Sequence, residues 1–145
     1  MRGISLLAII LGGVSDVVLS TILGVPLVIY TISTHGLHAL PKSQLQSAVT
    51  SAIHSDLLLY AAQLAIGTGC SVLGGVIAAA IAKERRVVNG VLAAWLCVGI
   101  GAYSLVSGSD TTSPATHIAL VITTPIWYLL GAVLRTKLGK AALRP

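Results

Sequence analysis

Residues 8–30 read AIILGGVSDVVLSTILGVPLVIY, an apolar run in which Asp16 is the only charged side chain. A helix of this length and apolarity is long enough to cross a lipid bilayer. The apolar character extends from about Ile4 to Ile32, which is longer than the apolar core of a cleaved signal peptide. The stretch therefore predicts a retained membrane-spanning helix with a carboxylate near its middle.

The composition of the whole chain is that of a protein that lives in hydrocarbon. Of its 145 residues, 55% are hydrophobic and 9% are charged, and the mean hydropathy is +0.94. These values disfavour a water-soluble domain. Four apolar runs, at about 4–32, 57–82, 87–106 and 116–134, are each long enough to span the bilayer. Because lipid offers the backbone no hydrogen-bond partners, we expect an all-α integral membrane four-helix bundle that forms a single domain over residues 1–145.

Basic residues are concentrated on one side of the predicted bundle. All of the nine Lys and Arg residues except Lys42 lie on the side of the KERR turn at 83–86 and of the two termini. The positive-inside rule therefore predicts that both termini are cytoplasmic. This distribution favours the lipid bilayer, and not nucleic acid, as the partner of the positive charge. The residues expected to set orientation and to meet lipid headgroups are Lys83, Arg85, Arg86, Arg135 and Lys137.

The connection between the first two spans has a pattern of its own. Leu45, Val49 and Ile53 recur at helical spacing among polar residues, directly after Pro41. This spacing predicts a short amphipathic helix that lies on the interface or extends the second span.

Small residues recur every four positions in three of the predicted spans. Such stripes let helix backbones approach closely in a membrane, where apolar burial alone does not drive association. They are consistent either with packing inside the bundle or with an interface to another copy or another membrane protein. The helix-packing candidates are Gly12, Gly24, Gly67, Ser71, Gly75, Ala79 and Gly101.

Asp16 lies on the first of these stripes. A charged side chain at mid-bilayer costs about 2.5 to 3.5 kcal/mol, so we expect it to face other helices, to be protonated or to pair. Its predicted hydrogen-bond partners at similar depth are Ser15, Ser20, Thr21, Thr68 and Ser71. Two roles remain open for it: a structural hydrogen bond, or a proton or ion relay in which Ser20 takes part.

Four histidines fall on the side opposite the KERR turn, namely His35, His38, His54 and His117. Imidazoles at one end of a bundle are weak candidates for a metal site or for a pH response. Their spacing matches no standard metal site, so we expect no metal and no cofactor. The chain also contains no nucleophile elbow, phosphate-binding glycine loop or HExxH pair, which favours a protein that is not an enzyme.

The stretch LGGVIAAAIAKERRVVNGVLAAWL, Leu73 to Leu96, resembles a pattern in small four-helix bacterial inner-membrane proteins whose function is uncharacterised. The shared pattern is a double glycine, small residues, a basic turn and a glycine that opens the next helix. The resemblance implies a bacterial inner-membrane bundle and no particular activity. The chain length and Asp16 also look like the small multidrug resistance exporters, in which a membrane-embedded glutamate couples protons to cation export. In that likeness Asp16 stands where the family has Glu.

Two functions are consistent with this sequence. The first is a non-enzymatic accessory, assembly or interaction subunit that acts through helix–helix contacts. The alternative is a small proton- or ion-coupled transporter, working as a homodimer, in which Asp16 is the coupling residue.

Overall fold

The computed structural model describes residues 3–107 and 114–141, and these residues are almost entirely helical. Ser5 caps the first helix, and Pro41 and Asp56 precede the next two α-helices. The helices are α1 (Leu6–Thr34), a short 3₁₀ turn (Leu37–Ala39), α2 (Lys42–Ser55), α3 (Leu57–Ile81), α4 (Arg86–Ser107) and α5 (Pro114–Ala141).

Four of these helices, α1, α3, α4 and α5, are long and apolar enough to cross a membrane. The all-α four-helix architecture is therefore confirmed, and the chain is a multi-pass membrane protein. The first three spans end within two residues of their predicted limits, but α5 continues to Ala141, beyond the predicted end at 134. Residues 135–141 contain no proline and are mostly good helix formers, so the helix can continue through them.

The amphipathic helix predicted after Pro41 is α2. Its apolar face holds Val49 and Ile53, which are buried against Leu59 of α3. Leu27 and Ile32 near the end of α1 complete the cluster. Asp56 separates α2 from α3 and caps α3, because its Oδ1 accepts hydrogen bonds from the backbone N–H groups of Leu58 (2.8 Å) and Leu59 (3.2 Å).

The four spans form a ring in the order α1, α3, α5, α4, with α3 and α4 also in contact across the middle. In the described part of the chain, α1 and α5 do not pack against each other. The start of α1, the 82–85 turn and the end of α5 lie at one end of the bundle, which we call the basic end. The other end carries α2, and we call it the α2 end.

Asn89 connects the helices at the basic end through hydrogen bonds. Its side chain is fully buried, and its Oδ1 accepts a hydrogen bond of 2.7 Å from the Ser5 N–H. Its Nδ2 donates to the carbonyl oxygens of Gly3 (3.0 Å), Glu84 (3.0 Å) and Arg85 (3.2 Å). A single amide thus joins the start of α1 to the turn between α3 and α4.

Close helix crossings fill the half of the bundle toward the basic end. A Cβ added to Gly12 would lie 2.8 Å from the carbonyl oxygen of Gly74, so α1 and α3 meet backbone to backbone there. A Cβ on Gly75 would collide with the backbone of Tyr128, and one on Gly131 would collide with the backbone of Val72. These crossings need glycine because no side chain fits between the helices.

The half toward the α2 end is more open. Gly101 still contacts Val121, since a Cβ there would lie 2.7 Å from Val121 Cγ2. A Cβ on Gly24 or Gly67 would meet no atom of the described residues within 4 Å, so neither glycine contacts another helix in the described part of this chain. The four-residue spacing continues along both helices, but the helices separate toward this end and the repeat no longer meets a neighbour.

Candidate functional site

Asp16 of α1 is the centre of a hydrogen-bonded cluster that involves all four spans. Its side chain is 5% exposed. Its Oδ2 accepts hydrogen bonds from the hydroxyl of Ser71 on α3 (3.0 Å), the hydroxyl of Tyr128 on α5 (2.8 Å) and the thiol of Cys97 on α4 (3.3 Å). The carboxyl group therefore faces other helices, and one oxygen atom connects every span of the bundle.

The local sequence explains how these side chains reach Asp16. Ser71 lies on the small-residue face of α3, close to the crossing at Gly74, so its short side chain reaches α1 directly. Tyr128 is fully buried, and its backbone packs on Gly75. Its long ring extends across the space between α5 and α1, two helices that otherwise do not touch. Cys97 also lies 3.4 Å from the Tyr128 hydroxyl, which closes the cluster.

The second oxygen of Asp16, Oδ1, has a different environment. All three donors bind Oδ2, and none of them binds Oδ1. Every fully enclosed side-chain N or O atom in the described part of the chain has a hydrogen-bond partner. Oδ1 is therefore not fully enclosed, and Asp16 is one of the residues that line a cavity.

This cavity has a volume of about 440 Å³ and extends from Asp16 toward the α2 end. Most of the residues that line it carry a polar group, which is unusual for the interior of a membrane bundle. Near Asp16 the wall includes Ser20, Thr68, Thr123 and Trp127, and toward the α2 end it includes Thr50, His54, Tyr60, Gln63, Thr116 and His117.

Five hydroxyl groups of the wall donate their protons to carbonyl oxygens of their own helices. Ser20 donates to the Val17 carbonyl oxygen at 3.0 Å, and Thr68 donates to that of Leu64 at 2.8 Å. Thr50, Thr123 and Thr124 likewise donate to carbonyl oxygens in their own helices. A hydroxyl has one donor and two acceptor lone pairs, so these groups can offer only lone pairs to anything inside the cavity.

The predicted partners of Asp16 divide into two groups. Ser71 is a partner, whereas Ser20 and Thr21 both donate to the Val17 carbonyl oxygen instead. Thr68 donates to its own helix as well, but it lines the same cavity. A hydroxyl group one turn from Asp16 on the same helix can donate either to the carboxyl group or to a backbone carbonyl oxygen of that helix. Ser20 and Thr21 both donate to the backbone.

The histidines do not come together. His54 and His117 line the cavity, His54 packing edge-on against Tyr60 and His117 lying 3.0 Å from the Gly101 carbonyl oxygen. His35 precedes the 3₁₀ turn and His38 lies within it. Both are exposed, and neither lines the cavity. In residues 3–107 and 114–141, no three His, Cys, Asp or Glu side chains are grouped so that they could hold a metal ion.

Sequence reasoning missed the part that Tyr128 and Cys97 take in this site. The predicted fourth span ends at 134, which would place Tyr128 in the half of that span toward the basic end. Since α5 continues to Ala141, Tyr128 lies at its middle and is fully buried. A tyrosine at mid-span has a hydroxyl group that needs a hydrogen-bond partner. This requirement is the sequence signal that could have assigned Tyr128 to the site. Trp95 is 67% exposed on the outer face of α4.

The remaining residues predicted from the sequence lie within α3 and α4 or at the basic end. Ala79 and Ser71 are buried in α3, and the thiols of Cys70 and Cys97 are free, as expected. The headgroup candidates lie at the basic end, where Arg135 is half-buried and the others are exposed: Lys83, Arg85, Arg86 and Lys137.

Comparisons of this chain with protein families, with curated proteins and with solved structures find no match.

Proposed function

We propose that this protein is a small proton- or cation-coupled transporter in which Asp16 is the coupling residue. One observation carries the proposal: the same residue joins all four spans through Oδ2 and lines a cavity whose lining residues are mostly polar. A purely structural hydrogen bond requires the first property but not the second. An intramembrane carboxyl group that reaches a cavity is typical of proton and ion pathways.

The geometry supports a coupling mechanism. When Asp16 is ionised, the three hydrogen bonds to Oδ2 are charge-assisted and hold α3, α4 and α5 to α1. A proton that enters through the cavity and binds Oδ1 removes the charge and weakens all three bonds together. Protonation of one atom thus changes the attachment of every span, which is the requirement for a binding event to bias the helix arrangement.

The chemistry of the cavity wall favours a cation. Five wall hydroxyls, those of Ser20, Thr50, Thr68, Thr123 and Thr124, present only acceptors. The described wall contains no Lys or Arg, and its only acid is Asp16. A solute that donates hydrogen bonds or carries positive charge is therefore stabilised, and an anion is not. The Trp127 ring also lines the cavity and adds a surface that attracts cations.

The orientation is part of the same proposal. We place the basic end on the cytoplasmic side of a bacterial inner membrane. The cavity then opens toward the outer face, and the closed half faces the cytoplasm. The protein is then an outward-open transporter with no enzymatic activity and with the lipid bilayer as its environment.

The test measures transport by purified protein in liposomes across which a pH gradient is imposed. A panel of small organic and alkali cations is added outside. A pH-sensitive dye enclosed in the liposomes reports the proton flux. Asp16→Asn preserves shape and the acceptor that Ser71 and Tyr128 need, but it cannot ionise. We expect it to fold and to lose proton-coupled flux. Asp56→Asn is the matched control, because Asn also caps helices and Asp56 does not line the cavity.

Two results would contradict the transporter proposal. One is wild-type protein that moves neither protons nor any cation of the panel. The other is an Asp16→Asn variant that folds and keeps full coupled flux. A variant that does not fold, beside a folded Asp56→Asn protein, would assign Asp16 a structural hydrogen bond instead.

The accessory or assembly role predicted from the sequence remains a second candidate, supported by Gly24. This glycine continues the four-residue stripe of α1, yet no atom of residues 3–107 and 114–141 would lie within 4 Å of a Cβ there. A second copy or another membrane protein could use that face. Purification in a mild detergent, followed by mass spectrometry of whatever accompanies the protein in stoichiometric amount, tests this role.

A further inference from the structure

Two arginine side chains converge at the basic end, away from the cavity. Arg86 is the first residue of α4, and Arg135 lies in the last part of α5. A Cβ placed on Gly139 would lie 3.1 Å from Arg135 Nη1 and 3.8 Å from Arg86 Nη1. Both guanidinium groups therefore point to the same place beside Gly139, where the absence of a side chain leaves room.

No acidic group in the described residues compensates for this pair. Neither guanidinium forms a hydrogen bond or an ion pair within residues 3–107 and 114–141. The nearest acid along the chain, Glu84, lies instead beside Gly3 at the start of the chain. Two like charges so close together are unfavourable unless a third group of opposite charge lies between them.

We propose that Arg86, Arg135 and the open surface of Gly139 form a binding site for a phosphate group. Guanidinium groups match phosphate oxygens with paired, charge-assisted hydrogen bonds, and a tetrahedral phosphate can accept from two arginines at once. The phosphate belongs either to an anionic lipid headgroup or to a soluble phosphate compound, since the pair lies where α4 and α5 leave the hydrocarbon. This site is independent of the cavity and of the transport proposal.

The location between two helices makes the site more specific than general attraction to an anionic surface. Lys83 and Lys137 lie at the same end and are exposed, but neither lies within 4 Å of the point on which the arginines converge. Diffuse attraction depends on the number of positive charges near the membrane. A site depends on the two guanidinium groups in particular.

The experiment compares two double variants that lose the same charge, Arg86→Gln with Arg135→Gln, and Lys83→Gln with Lys137→Gln. Each protein is titrated in detergent micelles with short-chain phosphatidylglycerol, with short-chain phosphatidylcholine and with inorganic phosphate. Bound lipid is read by native mass spectrometry and binding by the rise in unfolding temperature. We expect the arginine variant to bind phosphatidylglycerol about tenfold more weakly than the lysine variant does.

The three ligands distinguish the source of the phosphate. Stabilisation by phosphatidylglycerol alone supports a lipid headgroup, and equal stabilisation by inorganic phosphate supports a soluble compound at the same site. Equal losses in the two double variants would overturn the proposal in favour of diffuse attraction, as would wild-type protein that none of the anionic ligands stabilises. Arg86→Lys with Arg135→Lys keeps the charge, so intermediate binding by a folded variant confirms that the guanidinium geometry matters.

Discussion

The two halves of the bundle use equally apolar helices but are built differently. Toward the basic end, glycine and alanine at the crossings bring backbones together, and Asn89 fastens the start of α1. Toward the α2 end, the helices separate, and serine and threonine side chains line a cavity between them. Asp16 lies at the boundary between the halves. The same apolar helices thus pack closely in one half and separate in the other.

The largest expected effect is a methyl group added to the closed half. In Gly75→Ala, the new Cβ meets the backbone of Tyr128, which cannot move without shifting α5. Overpacking of this kind costs about 1 to 3 kcal/mol or more, so we expect a large fall in unfolding temperature and loss of monodisperse protein in size-exclusion chromatography.

Gly67→Ala is the matched control for that variant, because it makes the same change on the same helix in the open half. A Cβ at Gly67 meets nothing within 4 Å, so its stability should stay near wild type. Equal effects of the two substitutions would show that the halves do not differ in packing.

A smaller effect is expected when the fastening at the basic end is removed. Asn89→Ala leaves the Ser5 N–H and the Gly3 carbonyl oxygen without their partner. A buried polar group left unsatisfied costs about 1 to 3 kcal/mol, which a denaturant titration followed by circular dichroism can measure. Gln63→Ala removes an exposed amide in the open half and should change stability by no more than about 0.5 kcal/mol. A larger loss for Gln63→Ala would reverse the assignment of the closed half.

The smallest effect is a difference in labelling between the two cysteines. Cys97 lines the cavity, whereas Cys70 is 1% exposed. A membrane-impermeant thiol reagent should label Cys97 in Cys70→Ser protein when it is added from the α2 side, and should leave Cys70 in Cys97→Ser protein unlabelled. Mass spectrometry of oriented liposomes reads the result. Labelling of Cys97 only from the basic side would mean that the cavity opens toward the other end.

Much of the fold could be predicted from the sequence because the bilayer imposes few solutions. Long apolar runs must be helices, and polar residues at mid-span must face protein, so the spans, α2 and the inward position of Asp16 were all accessible. The spacing of small residues also indicated the crossings at Gly12 and Gly75.

The composition of the site was less accessible. Periodicity defines the face of a helix but not its neighbour, so Ser71 could be proposed as a partner while Cys97 and Tyr128 could not. The position of Tyr128 within its span depends on where α5 ends. The helix continues to Ala141, and no sequence signal shows that it passes residue 134. The cavity follows from the separation of the helices toward the α2 end, which is a property of the whole bundle and of no single motif.

The sharing of one carboxylate oxygen by three donors has an evolutionary consequence. Ser71, Cys97 and Tyr128 come from different helices but satisfy the same atom. A change at any one of these positions alters the environment of the other two and of Asp16. In related genes these four codons are expected to be inherited and replaced as a set, even though the most distant of them are separated by most of the chain.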